Sequence, residues 1–209
     1  STNIVKDIWP GFNNSSNPQW LTKLGSEMVF VADNGENGRE LWITDSTEEG
    51  TRMIKDINPG NNSSDPTGPM KEMDGYIYFS ANDGVHGYEL WRTDGTEAGT
   101  SMVKDINPGE NNSLSWGSTA HWHGEYTLVH NSHFYFSSND GERGVELWRT
   151  DGTEAGTVLI VDVNNGEVGS WPWYLTAMGD KVYFTAWDGD QRQLWHYWDN
   201  PGPIISVDN

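Results

Sequence analysis

Short stretches of alternating apolar and polar residues recur along this chain. No segment holds an i, i+3, i+4 apolar pattern over eleven residues, so helices are not expected. Residues 77–81 (IYFSA) show the two-residue period of a strand, with aromatic and small or polar side chains alternating. Four such stretches fit between Met70 and Ile106: Met70–Met73, Tyr76–Ala81, Tyr88–Thr93 and Thr100–Ile106. Asp-Gly and Gly-x-x-Gly steps punctuate them, as turns between short antiparallel strands require.

The same pattern occurs four times. Glu-Leu-Trp appears at Glu40-Leu41-Trp42, Glu89-Leu90-Trp91 and Glu146-Leu147-Trp148, with a worn copy at Gln193-Leu194-Trp195. Upstream of each lies VFVADNG, IYFSANDG, FYFSSNDG or VYFTAWDG, carrying Phe30, Phe79, Phe136 and Phe184. A third motif, IVKDIWPG, MIKDINPG, MVKDINPG or LIVDVNNG, carries Asp7, Asp56, Asp105 and Asp162. The tryptophans are spaced by 49, 57 and 47 residues, so one unit is about 50 residues long. Four short strands per unit, repeated, predict an all-β four-bladed propeller with four antiparallel strands per blade. A β-sandwich would not explain the fourfold repeat. A single propeller domain is expected over residues 1–209, with units at roughly 9–58, 59–107, 108–164 and 165–209.

Each blade must bury its faces against its neighbours, so Trp42, Trp91, Trp148 and Trp195 are expected in the inter-blade core. Asp45, Asp94 and Asp151 open Asp-x-Thr-x-x-Gly-Thr loops and are expected to hold backbone N–H groups there. The Lys-Asp pairs at Lys6, Lys55 and Lys104 read as strand-edge charges that deter edge-to-edge association. One strand more than four blades need is present. Either Ile4–Ile8 or Ile204–Asp208 is expected to pair with Gln193–Tyr197 and close the ring, while the other either lies beside it or is free to pair with a neighbouring molecule.

The pattern ELW-x-TDGT-x-x-GT followed by VKDI-x-PG resembles the ELWxxDGTxxGT (hyalin-like) tandem repeats of bacterial secreted and surface proteins. The resemblance spans nearly the whole chain. It implies an extracellular or cell-surface binding or structural module and ties it to no single activity. Ser46 replaces glycine in the first copy, and the fourth reads HYWDNPGP after Trp195.

Charge narrows the partners. With 12 Lys+Arg against 31 Asp+Glu the net charge is −19, which disfavours nucleic acid and anionic membrane surfaces. No apolar run approaches the ~20 residues of a membrane-spanning helix. The absence of cysteine removes disulfides and thiol chemistry. The sequence starts at Ser1 with no initiator Met and no charged-then-apolar leader, so a signal peptide, if one existed, is expected to have been removed. Asn13-Asn14-Ser15, Asn61-Asn62-Ser63 and Asn111-Asn112-Ser113 are sequon-like and are read as loop chemistry.

The candidate binding face carries the long crossover loops between blades and the DNGENG, NDGVHG, NDGERG and WDGDQ loops. Aromatic residues that the repeat does not demand gather there: Trp9, Phe12, Trp116, Trp122, Trp171 and Trp187. Indole rings beside amides and carboxylates suit sugar recognition, because a pyranose stacks on the ring while its hydroxyls are hydrogen-bonded. Rings filling gaps between unequal blades are the competing reading. Asn34, Asp83, Asp140 and Asp188 share one repeat position, where calcium ligation competes with an Asx turn. His121 and His123, with His86 from the preceding blade, form a candidate transition-metal set, weighed against plain surface histidines. No GxSxG, HExxH or phosphate loop is present. The sequence thus points to a secreted, non-catalytic, glycan-binding module, with calcium as the implied ion. A self-assembling surface protein and a glycan-acting hydrolase are the alternatives.

Overall fold

The computed structural model describes residues 2–114 and 126–198. Every element in it is a β-strand, and the strands form four separate antiparallel sheets in a propeller-type array. Blade 1 holds β1 (Gln19–Leu24), β2 (Glu27–Asp33), β3 (Arg39–Thr44) and β4 (Arg52–Lys55). Blade 2 holds β5 (Thr67–Met73), β6 (Tyr76–Asn82), β7 (Tyr88–Thr93) and β8 (Ser101–Lys104). Blade 3 holds β9 (Thr127–His130), β10 (His133–Asn139), β11 (Val145–Thr150) and β12 (Val158–Val161). Blade 4 has three strands among the described residues: β13 (Trp173–Met178), β14 (Lys181–Trp187) and β15 (Arg192–Trp198).

Register explains why the sequence motifs travel together. Phe30, Phe79, Phe136 and Phe184 lie directly opposite Trp42, Trp91, Trp148 and Trp195 on the neighbouring strand. This aromatic pair makes the rear surface of each blade. One residue along, on the opposite surface, stand Leu41, Leu90, Leu147 and Leu194. Val31, Leu41 and Ile43 of blade 1 pack on Phe79 and Trp91 of blade 2. Tyr78 and Leu90 of blade 2 pack on Phe134, Phe136 and Trp148 of blade 3. Tyr135 and Leu147 then meet Val182, Phe184 and Trp195 of blade 4. The expected inter-blade role is thus observed for Trp91, Trp148 and Trp195, whereas Trp42, on the rear of blade 1, is covered by Ile8 and not by another blade.

The innermost strands touch in series, β1 with β5, β5 with β9 and β9 with β13, and no comparable contact joins β13 to β1. Residues 4–8 form no strand and pair with no edge of β15, which corrects one of the two routes expected for closing the ring. The other, through 204–208, lies outside the described residues. Residues 4–8 are held by side-chain anchors at blade 1, where the Lys6 ammonium donates to Thr51 O at 2.8 Å. The 4–8 segment instead lies against blade 1, where Ile8 covers Phe30 and Trp42.

The lysines expected as edge charges do something more specific. Lys55 Nζ donates to Thr100 O at 2.9 Å and Lys104 Nζ donates to Thr157 O at 2.9 Å, each in the outer loop of the next blade. Lys6 Nζ reaches Thr51 O at 2.8 Å in the same way. An ammonium on a four-carbon stem can span two blades and satisfy carbonyls that no strand uses. The fourth copy has Val161, and the loop it would serve is the one that has lost the motif.

Those loops are built as the sequence suggests. Asp94 Oδ1 accepts the Thr96 N–H at 2.9 Å and the Thr96 hydroxyl at 2.6 Å, with equivalent bonds at Asp45 and Asp151. A Cβ at Gly99 would collide with the Asp94 carboxylate, so only glycine fits there.

Candidate functional site

The glutamate of each Glu-Leu-Trp triplet, not singled out in the sequence, is buried and holds the crossover to the next blade. Glu89 accepts N–H bonds from Ile106 at 3.0 Å and Ser113 at 3.2 Å, and the Ser113 hydroxyl at 2.6 Å. Glu40 does the same with Ile57 and Ser64, and Glu146 with Val163 and Ser170. Burial outweighs these bonds and pushes Glu40 and Glu89 up to about 7. This staple ends β8 at Lys104, short of the Ile106 expected from the sequence, because the Ile106 N–H turns to Glu89. The signal was available in the repeat: an acid inside an otherwise apolar strand must be buried and bonded.

Crossovers and β-hairpin loops do meet on one face. Asn58 packs on Gly84, Asn107 on Gly141 and Asn164 on Gly189, each at a glycine with positive φ. Trp9 occupies the equivalent place over Gly35, where a Cβ would strike the indole. The Trp9 ring is therefore half-buried against blade 1. Phe12, on the same segment, is 93% exposed.

Asn34, Asp83, Asp140 and Asp188 all sit at one corner of their hairpins. Asp83 Oδ1 accepts the N–H groups of Val85 and His86 at 2.9 Å each. Asn34, Asp140 and Asp188 accept the corresponding pairs. The fourth residue of the turn differs from blade to blade. His86 Nδ1 lies 2.7 Å from Asp83 Oδ2, and Arg143 pairs with Asp140. Burial alone would raise Asp83 and Asp140, but the turn N–H groups and these partners outweigh it and hold both carboxyls below their usual range. Hydrogen bonding to Asp83 raises His86. Among the described residues no group of three or more His, Asp or Glu converges as a metal site. His121, His123, Trp116 and Trp122 lie outside the described residues. His130 and His133 face each other across the β9–β10 turn, at the end of the blade away from the crossovers.

Two of the off-repeat tryptophans do come together. The Trp187 N–H donates to Ser170 O at 2.7 Å, which sets Trp187 beside Trp171 at the top of blade 4. Trp171 adopts a positive φ of 51° and is 47% exposed; Trp187 is 37% exposed. Two further residues complete this corner. Arg192, opposite Trp187 in register, donates from Nη1 to Trp171 O at 2.9 Å. Its guanidinium carbon stands 4.2 Å from the centroid of the Trp173 ring, a cation–π contact that fixes both groups. Blade 1 has the same backbone arrangement, with Arg39 reaching Gln19 and Asn17 O, but without the indoles. Aligning Arg192 with Arg39 across the repeat would have located this corner from sequence. It offers two exposed indole faces beside a fixed cationic donor.

No protein-family model matches the chain, and no curated protein sequence does. Solved structures do. A puromycin-hydrolyzing peptidase from Mycobacterium tuberculosis is 13% identical, with a TM-score of 0.54 over 94% of this chain and 29% of that one. A puromycin hydrolase is 17% identical, with a TM-score of 0.48 over 86% of this chain and 26% of that one. Bacteroides ovatus xyloglucan PUL GH43B is 20% identical, with a TM-score of 0.40 over 94% of this chain and 41% of that one. The chain spans less than a third of the length of the two puromycin-hydrolysing proteins. At such identity the likeness concerns architecture alone, and what this chain shares with the mycobacterial peptidase is an all-β, propeller-type fold.

Proposed function

We propose that this protein is a secreted, non-catalytic carbohydrate-binding module and that its sugar site is the Trp171–Trp173–Trp187–Arg192 corner. The observation that carries the reading is Arg192, which bonds Trp171 O and lies over the Trp173 ring, next to the partly exposed Trp171 and Trp187. A pyranose stacks its C–H face on an indole, and a guanidinium donates to ring hydroxyls or a uronate carboxylate. Rigid aromatic rings supply this contact with little entropy to lose on binding. The hyalin-like repeats fit an extracellular setting of this kind.

The test is a glycan panel read with and without Ca²⁺, followed by Trp171→Ala and Trp187→Ala. Each substitution should weaken the bound glycan at least tenfold, with the melting temperature within about 2 °C of the parent. Binding that survives the double substitution would refute the site. A rise in melting temperature with Ca²⁺ beyond that with Mg²⁺ would add an ion to the reading, whereas equal shifts would reflect screening of the −19 charge.

A further inference from the structure

Among the described residues two blade surfaces lack a neighbouring blade, and the interior of the molecule shows how such surfaces are covered. Leu41, Leu90 and Leu147 are each fully buried by the next blade, at 0% exposure, whereas Leu194 in the same repeat position is 71% exposed. Trp198, further along β15, is 52% exposed. The rear of blade 1 shows the converse. Leu21 is 63% exposed, whereas Met70, Thr127 and Leu175 at its position are 8%, 3% and 6% exposed. Met28 is 38% exposed where Ile77, Phe134 and Val182 are fully buried. The front of blade 4 and the rear of blade 1 are thus the two halves of the interface formed three times inside the chain.

We infer that the front of blade 4 docks the rear of blade 1 from a second copy of this chain, extending the blade series head to tail. Two observations name that occupant. The first is continuity: in blades 1 to 3 the same surface is covered by the rear face of a following blade of the same repeat, and the one rear face without such a partner is that of blade 1. The second is charge. In a chain of net charge −19, strands β13, β14 and β15 contain no Asp or Glu and carry Lys181, Arg192 and His196. Two like-charged molecules can therefore approach at this end with the least repulsion. Such a contact is heterologous, using different patches on the two partners. Two copies of four blades reach the upper end of the usual propeller range.

The geometry sets a mixing experiment on the intact 209-residue chain. Leu194→Asp spoils only the front of blade 4, and Leu21→Asp spoils only the rear of blade 1. Both positions are exposed within one chain, so at high dilution each variant should keep the parent's near-ultraviolet dichroism and melting temperature. By light scattering at about 50 µM in 0.3 M salt, the parent should have at least twice the 23.5 kDa of one chain. Each variant alone should fall to the mass of one chain. Mixed in equal amounts, they should return to twice that mass, because one front and one rear surface remain intact. A parent that stays at single-chain mass up to 0.5 mM, a variant that keeps the parent's mass, or a mixture that fails to associate would overturn the proposal. Glycan binding by Leu194→Asp separates this inference from the sugar-site reading, because Trp171 and Trp187 are unchanged in it.

Discussion

Blades 2 and 4 descend from one pattern and are held together differently. In blade 2 the triplet Glu89-Leu90-Trp91 is buried on both faces of the sheet, and β7 stops at Thr93. There the Thr93 and Thr100 hydroxyls meet at 2.7 Å and Asp94 gathers the loop. In blade 4 the triplet is Gln193-Leu194-Trp195, the threonine is Tyr197, and β15 runs straight on to Trp198. The indole keeps its place in the inter-blade core, while the leucine has no blade to cover it. The same letters thus carry different energies, because burial belongs to the neighbour and not to the residue. Blade 4 has exchanged staples for exposed aromatics, and the candidate sugar site stands on it.

The largest expected difference is at the leucine. Leu90→Ala should lower the unfolding free energy by about 3 kcal/mol, since it leaves a cavity between blades. At high dilution, where copies of the chain are apart, Leu194→Ala should change it by less than about 0.5 kcal/mol. Urea unfolding of the two variants side by side at that dilution measures this, and equal losses would show that another part of the same chain covers Leu194.

Next comes the pH dependence of the buried glutamates. Glu40 and Glu89 stand at about 7 when folded, against about 4.3 in an unfolded chain. Between those values the folded state holds more protons. Their stabilising effect is therefore complete below about pH 4 and is lost as the pH rises through about 7. Asp83 and Asp140 act oppositely, since their lowered pKa makes stability fall as they are protonated below about pH 4. The melting temperature should peak near pH 4 to 5 and decline toward pH 8. Glu89→Gln, which copies the Gln193 of blade 4, should flatten the upper limb; an unchanged slope would assign it elsewhere.

The smallest effect sharpens the reading of the lysine clasp. Lys104→Met removes the bond to Thr157 O and should cost about 1 kcal/mol. Val161→Lys should gain nothing, because the sequence after Trp195 lacks the Asp-x-Thr motif whose loop carries the acceptor in the other copies.

Much of this architecture was legible because a repeat states its own grammar. The aromatic pairs, the turn aspartates and the strand at Tyr88–Thr93 follow from local pattern and turn chemistry. The lysines were misread as edge charges because their acceptors lie 45 and 53 residues away, across a blade boundary. Glu40, Glu89 and Glu146 were passed over for a similar reason: a charged residue in a strand looks like a solvated face until its donors fold over it. Trp9 and Trp187 both break the repeat in the same way, yet one fills a socket over Gly35 and the other stands half-open beside Arg192.

By itself the sequence determined the period, the strand content, the aromatic core and the acid-bent loops, because these depend on neighbours a few residues apart. Only the tertiary structure decided which surfaces are interior and which tryptophans are available to a ligand. Those outcomes depend on what a distant segment does or does not place against a given side chain. Leu90 and Leu194, alike in sequence and opposite in exposure, show that difference in one pair of residues.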